Sequence, residues 1–451
     1  MKTRVTIGLC LMLGLSLVAG CNGGVQSLSP PSASQNTAVN TMNAASGQHQ
    51  LAAAHLPVRH VGYIVTDLGT LGGTFSFPLD VSNNGAVSGS SLLAGDAVQH
   101  GFLWYKGRMR DLGTLPAGPN VGAIAVNNRL QVVGVADGAS TPHDGNACYC
   151  TDDGNSSLNC HSFLWQGGRM TDTGTLGGNS SIAEWINNRG QIVGISEIKA
   201  TTAGRSVPCA GSPGGQVNRA YLFENGRFKD LGTLGGCCAG ATSIDDAGQI
   251  AGASDVSTTI DPQLGFVPIH AYRLANGVMT DLGTLGGGAS VAFALNNEGD
   301  VIGYSTLAGE QHMHAFRWQD GVMSDLGVLD GDTDSAAFGL NSRSQVVGFS
   351  ATNSTSRAFI KQDGVMTDLN TLISPTSGFQ LAVGWWINEA GQIAAQALVE
   401  RTGEMHAVLL TPSDHDIHGK TGGVPLTASL RDSLLHKYGL SRHAAFLSPR
   451  Y

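Results

Sequence analysis

Short apolar runs separated by glycine-rich turns cover most of the chain. In a representative stretch, two apolar runs at 291–295 and 301–303 flank a polar turn. An alternating run at 314–318 follows, and after Asp-Gly the chain runs back through 322–326. Runs of this length bounded by turn residues predict β-strands, and the last two predict a hairpin. No helical period competes with this pattern.

The same arrangement recurs along the chain. The segment 67–73, with the sequence DLGTLGG, returns with small changes at intervals of 43 to 61 residues. The later copies begin at Asp111, Asp172, Asp230, Asp281, Asp325 and Asp368. A shortest unit of 43 or 44 residues is the length of a four-stranded propeller blade.

The hairpin of each unit has a two-residue turn. Six turns carry Asn-Gly, Asp-Gly, Lys-Gly or Gly-Gly, which predicts type I′ geometry with positive φ at both positions. They are Lys106-Gly107, Gly167-Gly168, Asn225-Gly226, Asn276-Gly277, Asp320-Gly321 and Asp363-Gly364.

The chain ends complete the predicted architecture. Tyr63 to Leu71 supply one outer strand before the first complete unit, and His406 to Leu410 supply its hairpin partner after the last. We therefore predict an all-β protein over residues 61–411: a seven-bladed β-propeller of four-stranded antiparallel blades, with the ring closed by the N-terminal strand in the last blade. The small, alanine-rich strands are expected to be the innermost.

These units resemble the HAF-type extracellular repeat of bacterial envelope proteins, named for residues seen here as His314-Ala315-Phe316. The resemblance spans residues 61–411. Variants of the triplet begin at His270 and His406, whereas Arg219 and Arg357 replace the histidine. The family has no settled activity, so the resemblance implies a fold and a location outside the cytoplasm.

The amino terminus predicts export and lipid attachment. Lys2 and Arg4 precede an apolar run at 5–18 that is too short to span a bilayer, so 1–20 is predicted to be a signal peptide. Val18 to Cys21 resemble the lipobox of bacterial lipoproteins, which implies lipidation of Cys21 and, with Asn22 after it, sorting to the outer membrane. An ordinary secretion signal is the alternative. Residues 21–60 are poor in large apolar residues and are predicted to be a flexible tether.

Hairpin register places each repeated aspartate diagonal to a basic residue. With a two-residue turn, Asp281 lies opposite Tyr272 and on the same side as His270. We predict structural latches, hydrogen-bonded pairs that satisfy a partly desolvated carboxylate, and an acid/base role is the alternative. The pairs are His100 and Asp111, His161 and Asp172, Arg219 and Asp230, His270 and Asp281, His314 and Asp325, and Arg357 and Asp368.

Three insertions fall at one end of neighbouring blades. They are 136–160, 197–218 and 255–269. Each follows the second strand of its unit, and in antiparallel units these connections all emerge at the same end, so the three insertions share one face. Such loops are where rigid folds acquire binding sites, and neutral variation is the alternative.

This face also carries six cysteines that predict a disulfide framework: Cys148, Cys150, Cys160, Cys209, Cys237 and Cys238. We expect Cys160 to pair with Cys148 or Cys150, and Cys209 with Cys237 or Cys238. A vicinal bridge between Cys237 and Cys238 and a zinc site are the alternatives.

Other motifs are sparse. Asp330, Asp332 and Asp334 form a weak calcium-loop candidate that lacks the Gly and bidentate Glu of such loops. No nucleophile elbow, zinc helix, phosphate loop or dinucleotide fingerprint is present, so we expect that the chain has no cofactor and is not an enzyme.

Residues 412–451 form a C-terminal tail in which 427–438 is predicted to be a short amphipathic helix docked on the propeller. Membrane binding by this helix is the alternative.

The net charge and the predicted location restrict the functions that the sequence allows. The formal charge of −9 becomes about −11 without Lys2 and Arg4, which excludes a nucleic-acid partner. The sequence predicts a monomer that contacts the membrane through its lipid only and binds a protein or glycan through the insertion-bearing face. An envelope scaffold of the outer membrane and a carbohydrate-active propeller enzyme are the alternatives.

Overall fold

The computed structural model describes residues 62–138, 159–198, 217–414, 419–427 and 430. Strands account for almost all of the regular structure there; the exceptions are a 3-10 turn at Leu369–Leu372 and the helical residue Leu430. None of the helical residues described belongs to a helix with the length and hydrophobicity needed to cross a bilayer. The all-β prediction is confirmed.

The strands pair in antiparallel groups of four, which we call units. Strand β1 spans Gly62–Gly69. The first strands of successive units are β2 (Gly72–Val81), β6 (Val121–Val126), β10 (Gly177–Ile186), β14 (Ala239–Ile244), β18 (Gly286–Leu295), β22 (Asp334–Leu340) and β26 (Phe379–Ile387). The second strands are β3 (Val87–Leu93), β7 (Val132–Asp137), β11 (Ile192–Ile198), β15 (Ile250–Asp255), β19 (Val301–Leu307), β23 (Val346–Ala351) and β27 (Ile393–Val399).

The remaining strands complete the units. The third strands are β4 (Gln99–Tyr105), β8 (Cys160–Gln166), β12 (Asn218–Glu224), β16 (Ile269–Ala275), β20 (Met313–Gln319), β24 (Thr355–Gln362) and β28 (Met405–Ser413). The fourth strands are β5 (Arg108–Asp111), β9 (Arg169–Gly174), β13 (Arg227–Asp230), β17 (Val278–Asp281), β21 (Val322–Gly327) and β25 (Val365–Asp368). Unit 7 takes β1 as its fourth strand, antiparallel to β28, with Gly62 opposite Ser413.

The hairpin turns have the predicted geometry. Both turn residues have positive φ, for example Asn276 at 52° and Gly277 at 78°. Mirror-image turns of this kind match the twist of the flanking strands. Tyr272 accordingly lies opposite Asp281, as the register predicts.

The first strands meet at the centre of the molecule. Each contacts the first strand of the next unit, and β26 contacts β2. Their large side chains form one buried cluster that includes Phe77, Ile124, Phe293, Phe338 and Trp385. Phe338 stacks on Trp385 with ring centroids 5.1 Å apart. Although these strands are rich in alanine, aromatic and aliphatic side chains fill the centre.

The antiparallel order gives the molecule two distinct ends. Connections from second to third strands and from one unit to the next emerge at one end, the loop face. The short turns after first and third strands emerge at the other, the turn face. At the loop face, β29 (Val424–Pro425) pairs with β24 at Thr355 and Ser356. Leu426 and Leu430 join the central cluster, so this part of the tail covers the centre at that end.

Removal of β1 tests the importance of its pairing. Tyr63 and Leu68 are buried, and each side chain contributes about 2–3 kcal/mol when removed from water. A chain that begins at residue 70 should therefore unfold at a much lower temperature than one that begins at residue 62, measured by circular dichroism. Equal melting temperatures would contradict a stabilising role for this strand.

Candidate functional site

A cavity opens at the centre of the turn face. Its volume is about 140 Å³, and residues at the ends of all seven first strands contribute to its lining. This volume is below the roughly 300–1,000 Å³ of ordinary small-molecule sites. The cavity, which we call the cup, therefore suits one end or one residue of a larger ligand.

The first turn residue of most units is a buried asparagine that ties the units together. Asn127 Oδ1 accepts the N–H groups of Arg129 and Gln131, which closes its own turn. Its Nδ2 donates to the carbonyl oxygen of Asn187 in the next unit at 3.1 Å. The same donation to the next unit comes from Asn187, Asn341 and Asn388.

Other side chains complete this belt where the asparagine is missing or turned inward. Asn84 donates to the Asn128 carbonyl, Gln249 to the Asn297 carbonyl, and Arg317 to the Ser344 hydroxyl. Unit 7 reaches unit 1 through Asn388 Nδ2, which lies 2.9 Å from the Ser82 carbonyl oxygen. Each neighbouring pair of units, including units 7 and 1, thus shares a hydrogen bond at the turn face.

In six of the seven units the second turn residue lies on the rim of the cup. In several units its side-chain oxygen accepts a backbone N–H from the preceding unit, as Asn188 does from Asn128 at 3.0 Å. The side chains of Asn128 and Asn297 make no hydrogen bond within the described ranges. Both are exposed and line the cup, so their amides are available to a ligand. The rim consists of Asn83, Asn128, Asn188, Asp246, Asn297 and Glu389.

Two tryptophans form the floor. Trp185 of unit 3 and Trp386 of unit 7 lie with ring centroids 4.1 Å apart, at an interplanar angle of 41°. Both are partly exposed and line the cup. Indole rings present an apolar surface with one N–H donor, so the cup combines an aromatic floor with an amide rim.

The cup is acidic. Asp80, Asp245, Asp246 and Glu389 line it, and none of its lining residues is basic. Each of these carboxylates accepts a backbone N–H; the Asp80 carboxylate, for example, lies 2.8 Å from the Val126 nitrogen. This arrangement disfavours anionic ligands and suits neutral or cationic ones.

Four of the six predicted latch pairs are in close contact. Histidine Nδ1 and the aspartate carboxylate are 2.5–2.9 Å apart in these pairs. They are His100–Asp111, His161–Asp172, His270–Asp281 and His314–Asp325. A further pair, His406–Asp67 at 3.0 Å, joins β28 to β1. Sequence reasoning missed it, although the strand pairing and the recurring aspartate both indicated it.

In two of the latches, His161–Asp172 and His314–Asp325, the pKa of both partners is shifted. The hydrogen bond to Asp325 raises the pKa of His314 despite the opposing effect of burial, and His161 responds in the same way to Asp172. Burial favours the neutral form of Asp325. The hydrogen bonds from His314 and the Gly327 N–H outweigh it and lower the pKa of this carboxyl.

Of the two arginine pairs, Arg219–Asp230 is absent among the described residues, and Arg357–Asp368 is present but shared with another carboxylate. Arg219 forms no ion pair with Asp230, both of which the structure describes. It lies near Asp255, where burial raises the pKa of the carboxyl and the charge of Arg219 offsets part of that rise. Arg357 is 3.6 Å from Asp368 but 2.7 Å from Asp332, its closer partner. The longer guanidinium can reach a carboxylate of the crossover, which register within one hairpin does not reveal.

The calcium candidate consists of residues with other partners. Asp332 pairs with Arg357, and the Asp330 carbonyl oxygen accepts from the same guanidinium. Asp334 accepts the N–H of Met313 and pairs with His312. In the described ranges, no group of three or more His, Cys, Asp or Glu residues could hold a metal ion.

The predicted cysteine pairings fall partly outside the described residues, which exclude Cys148, Cys150 and Cys209. Cys160 and Cys237 are each half of a disulfide, although no disulfide joins two described cysteines. Cys238 is buried and is not bonded to Cys237, so the vicinal bridge is absent. The other pairings stay predictions.

Several further predictions also concern residues outside the described ranges. The signal peptide, Cys21, the tether and most of the 427–438 helix lie there, as do most of the first two insertions. Binding at the loop face therefore stays a prediction. The third insertion, 255–269, is described, and Ile260 is exposed on it.

Comparisons with known proteins give distant likenesses. No family model matches the chain, and no curated protein matches it. Among solved structures, a puromycin-hydrolysing peptidase of Mycobacterium tuberculosis has 12% identity and a TM-score of 0.43, over 76% of this chain and 54% of that one. This chain thus spans about half the length of the peptidase. A polysaccharide lyase has 8% identity and a TM-score of 0.44, over 76% of this chain and 91% of that one.

Two other solved structures are similar in the same range. A gluconolactonase from Xanthomonas campestris has 10% identity and a TM-score of 0.33, over 78% of this chain and 90% of that one. The β-propeller domain of a protease from Pyrococcus furiosus has 12% identity and a TM-score of 0.36, over 66% of this chain and 96% of that one. Because several of these proteins are named as enzymes, the expectation of a non-enzyme is wrong as an inference from missing motifs and is withdrawn.

The histidine latches predict a pH-dependent coupling. The raised pKa of His314 means that its pair with Asp325 stabilises the fold fully below the ordinary histidine pKa and loses strength as pH rises through the raised value. In a double-mutant cycle of His314→Ala and Asp325→Ala, we expect a coupling of about 1 kcal/mol at pH 5.5 and less at pH 9. Thermal denaturation measures it, and a coupling independent of pH would argue against the ion pair.

Asp255 predicts a second loss of stability with rising pH, at a lower pH range. Burial raises the pKa of this carboxyl to about 7, against the N–H of Cys238 and the charge of Arg219. Since the folded pKa exceeds the unfolded one, ionisation destabilises the fold as pH rises from about 4 to 7. Asp255→Asn should therefore gain stability relative to the parent, by roughly 2–4 kcal/mol, between pH 5 and pH 8. A constant difference in melting temperature would refute this assignment.

Proposed function

We propose that this chain is a lipid-anchored binding module of the bacterial cell envelope, of the HAF-repeat type, that holds a neutral, hydroxyl-rich glycan in the cup. The observation that carries the proposal is the combination of an aromatic floor, Trp185 and Trp386, with a rim of amides at the centre of one face. The lipid anchor and envelope location rest on the sequence of residues 1–21.

We further propose that the units are the seven blades of a closed propeller. The contact of β26 with β2 supports this, as do the β1–β28 pairing and the hydrogen bond from Asn388 to Ser82. Closure brings all seven turns to one rim, which an open stack of units could not do.

A glycan fits the chemistry of the cup better than an anion or an apolar ligand. Asn128 and Asn297 each offer an N–H₂ donor and a carbonyl acceptor, which matches the paired donor and acceptor character of sugar hydroxyls. The apolar face of a sugar ring can lie on an indole surface, whereas the surrounding carboxylates repel acidic sugars. The small volume suits a single terminal residue of a longer chain.

Loss of the two unpartnered amides tests this proposal. Asn128→Ala with Asn297→Ala should weaken binding of neutral oligosaccharides about 100-fold, because each lost hydrogen bond costs roughly 1.4 kcal/mol. Both side chains are exposed and bond to nothing else described, so stability should be unchanged. Binding is screened on a glycan array and measured by calorimetry.

A loop-face variant provides the control. Ile260→Ser removes an exposed apolar side chain on the 255–269 insertion. We expect it to leave glycan binding unchanged. If Ile260→Ser abolishes binding and the double asparagine variant does not, the ligand site is on the loop face and the assignment to the cup fails.

A second candidate is a carbohydrate-active propeller. Four carboxylates line the same cup, and glycoside hydrolysis requires a pair of them flanking the scissile bond. Release of new reducing ends from a bound oligosaccharide, lost in Asp245→Asn or Glu389→Gln, would establish this activity. Intact oligosaccharide after prolonged incubation with saturated protein would favour binding alone.

A further inference from the structure

The charged residues of the turn face are divided between its two halves. Eight exposed cations lie on units 1 to 3, a region that we call the basic sector. They are Lys106, Arg108, Arg110, Arg129, Arg169, Arg189, Arg227 and Lys229. Units 4 to 7 carry one exposed cation on this face, Arg343, and five exposed acids: Asp246, Glu298, Asp320, Asp363 and Glu389. A chain of net charge −9 thus concentrates a third of its 25 lysines and arginines on three neighbouring units.

The hairpins of the two halves have the same strand register and differ in their exposed side chains. The first residue of the fourth strand is Arg108, Arg169 or Arg227 in units 1 to 3. At the same register in units 4 to 6 it is Val278, Val322 or Val365, each 61–64% exposed. The arginines are therefore not required by the hairpin, because valine fills the equivalent position three times.

The cations of the basic sector have no internal carboxylate partner. None of the eight forms an ion pair with a residue in the described ranges. Arg110 lies over the Trp165 ring at 5.0 Å, and Lys106 over Tyr105 at 5.1 Å, which hold these two side chains in place without neutralising them. Exposed acids also lie on these units: the Glu224 carboxylate accepts a hydrogen bond from Gln191, Asp111 and Asp172 pair with their latch histidines, and Asp230 accepts the Gly232 N–H.

The chain enters the fold on this same face. Gly62, the first residue of β1, lies opposite Ser413 at the end of a third strand, and third strands end at the turn face. Unit 7, which contains β1, adjoins unit 1 of the basic sector. The tether predicted from the sequence, about 40 residues long, would span roughly 35 Å as a random coil, so a lipid on Cys21 would hold this face close to the bilayer.

We propose that the basic sector docks on the anionic phosphate headgroups of the membrane to which the chain is anchored. The direction of approach rests on the proposed lipid anchor, and the affinity rests on the cations. Each lysine or arginine near an anionic surface contributes about a factor of 5 to membrane partitioning. The surface contact adds an electrostatic attachment to the proposed lipid anchor and orients the turn face toward the bilayer.

Vesicle binding by a chain without lipid tests the proposal. We would use residues 21–451 with Cys21→Ser, so that only the protein surface contacts the bilayer. Vesicles of phosphatidylcholine with 30% phosphatidylglycerol should bind the protein, those of phosphatidylcholine alone should not, and 0.5 M salt should release it. Arg108→Gln, Arg169→Gln and Arg227→Gln together should lower the partition coefficient about 100-fold.

The valines at the equivalent register provide the matched control. Val278→Gln, Val322→Gln and Val365→Gln together should leave binding unchanged, as should the double asparagine variant of the cup. Failure of the vesicle assay with intact glycan binding would overturn docking and leave the proposed function standing. Equal binding to both vesicle types, an unaffected triple arginine variant, or tighter binding to soluble dextran sulfate than to anionic vesicles would each overturn membrane docking.

Discussion

The hydrogen bonds that pass from turn to turn at the centre of the molecule are the constraint on which the structure depends. A four-stranded unit cannot bury both of its faces alone, so its position relative to its neighbours must be specified. The belt specifies it at the innermost point, where Asn127, Asn187, Asn341 and Asn388 are nearly inaccessible to water. A buried amide without its carbonyl partner is costly, so a unit rotated out of register would lose stability. The rim residues are positioned by the same bonds.

The chain ends are joined by a histidine–aspartate pair of the same kind as those that link third and fourth strands within four of the units. His406 meets Asp67 across β28 and β1 just as His314 meets Asp325 across β20 and β21. Residues far apart in sequence thus reproduce a contact that elsewhere spans one hairpin. This covers the edge of β28, whose unpaired backbone would otherwise be open to association with another strand.

Features set by local spacing could be predicted from the sequence, and features set by long-range packing could not. The type I′ turns and the diagonal histidine latches follow from residues within about ten positions of one another. Arg219 departed from its predicted pair because Asp255, on another strand, competes for it. The cup was missed because an asparagine in the turn after all but one of the first strands looks like turn chemistry until the turns are brought together. The alanine-rich first strands likewise concealed a centre filled by Phe293, Phe338 and Trp385.

Repetition also explains why the turn face can carry several functions at once. The backbone of each hairpin is held by its positive-φ turn and, in most hairpins, by a latch as well, so the exposed residue beside the turn is free to vary. Arginine in three units and valine in three others leave the register unchanged, which separates surface charge from folding. The belt residues lack this freedom, because each serves two units. Variation on this face is therefore confined to the rim and the outer turns, where a ligand and a membrane can be recognised independently.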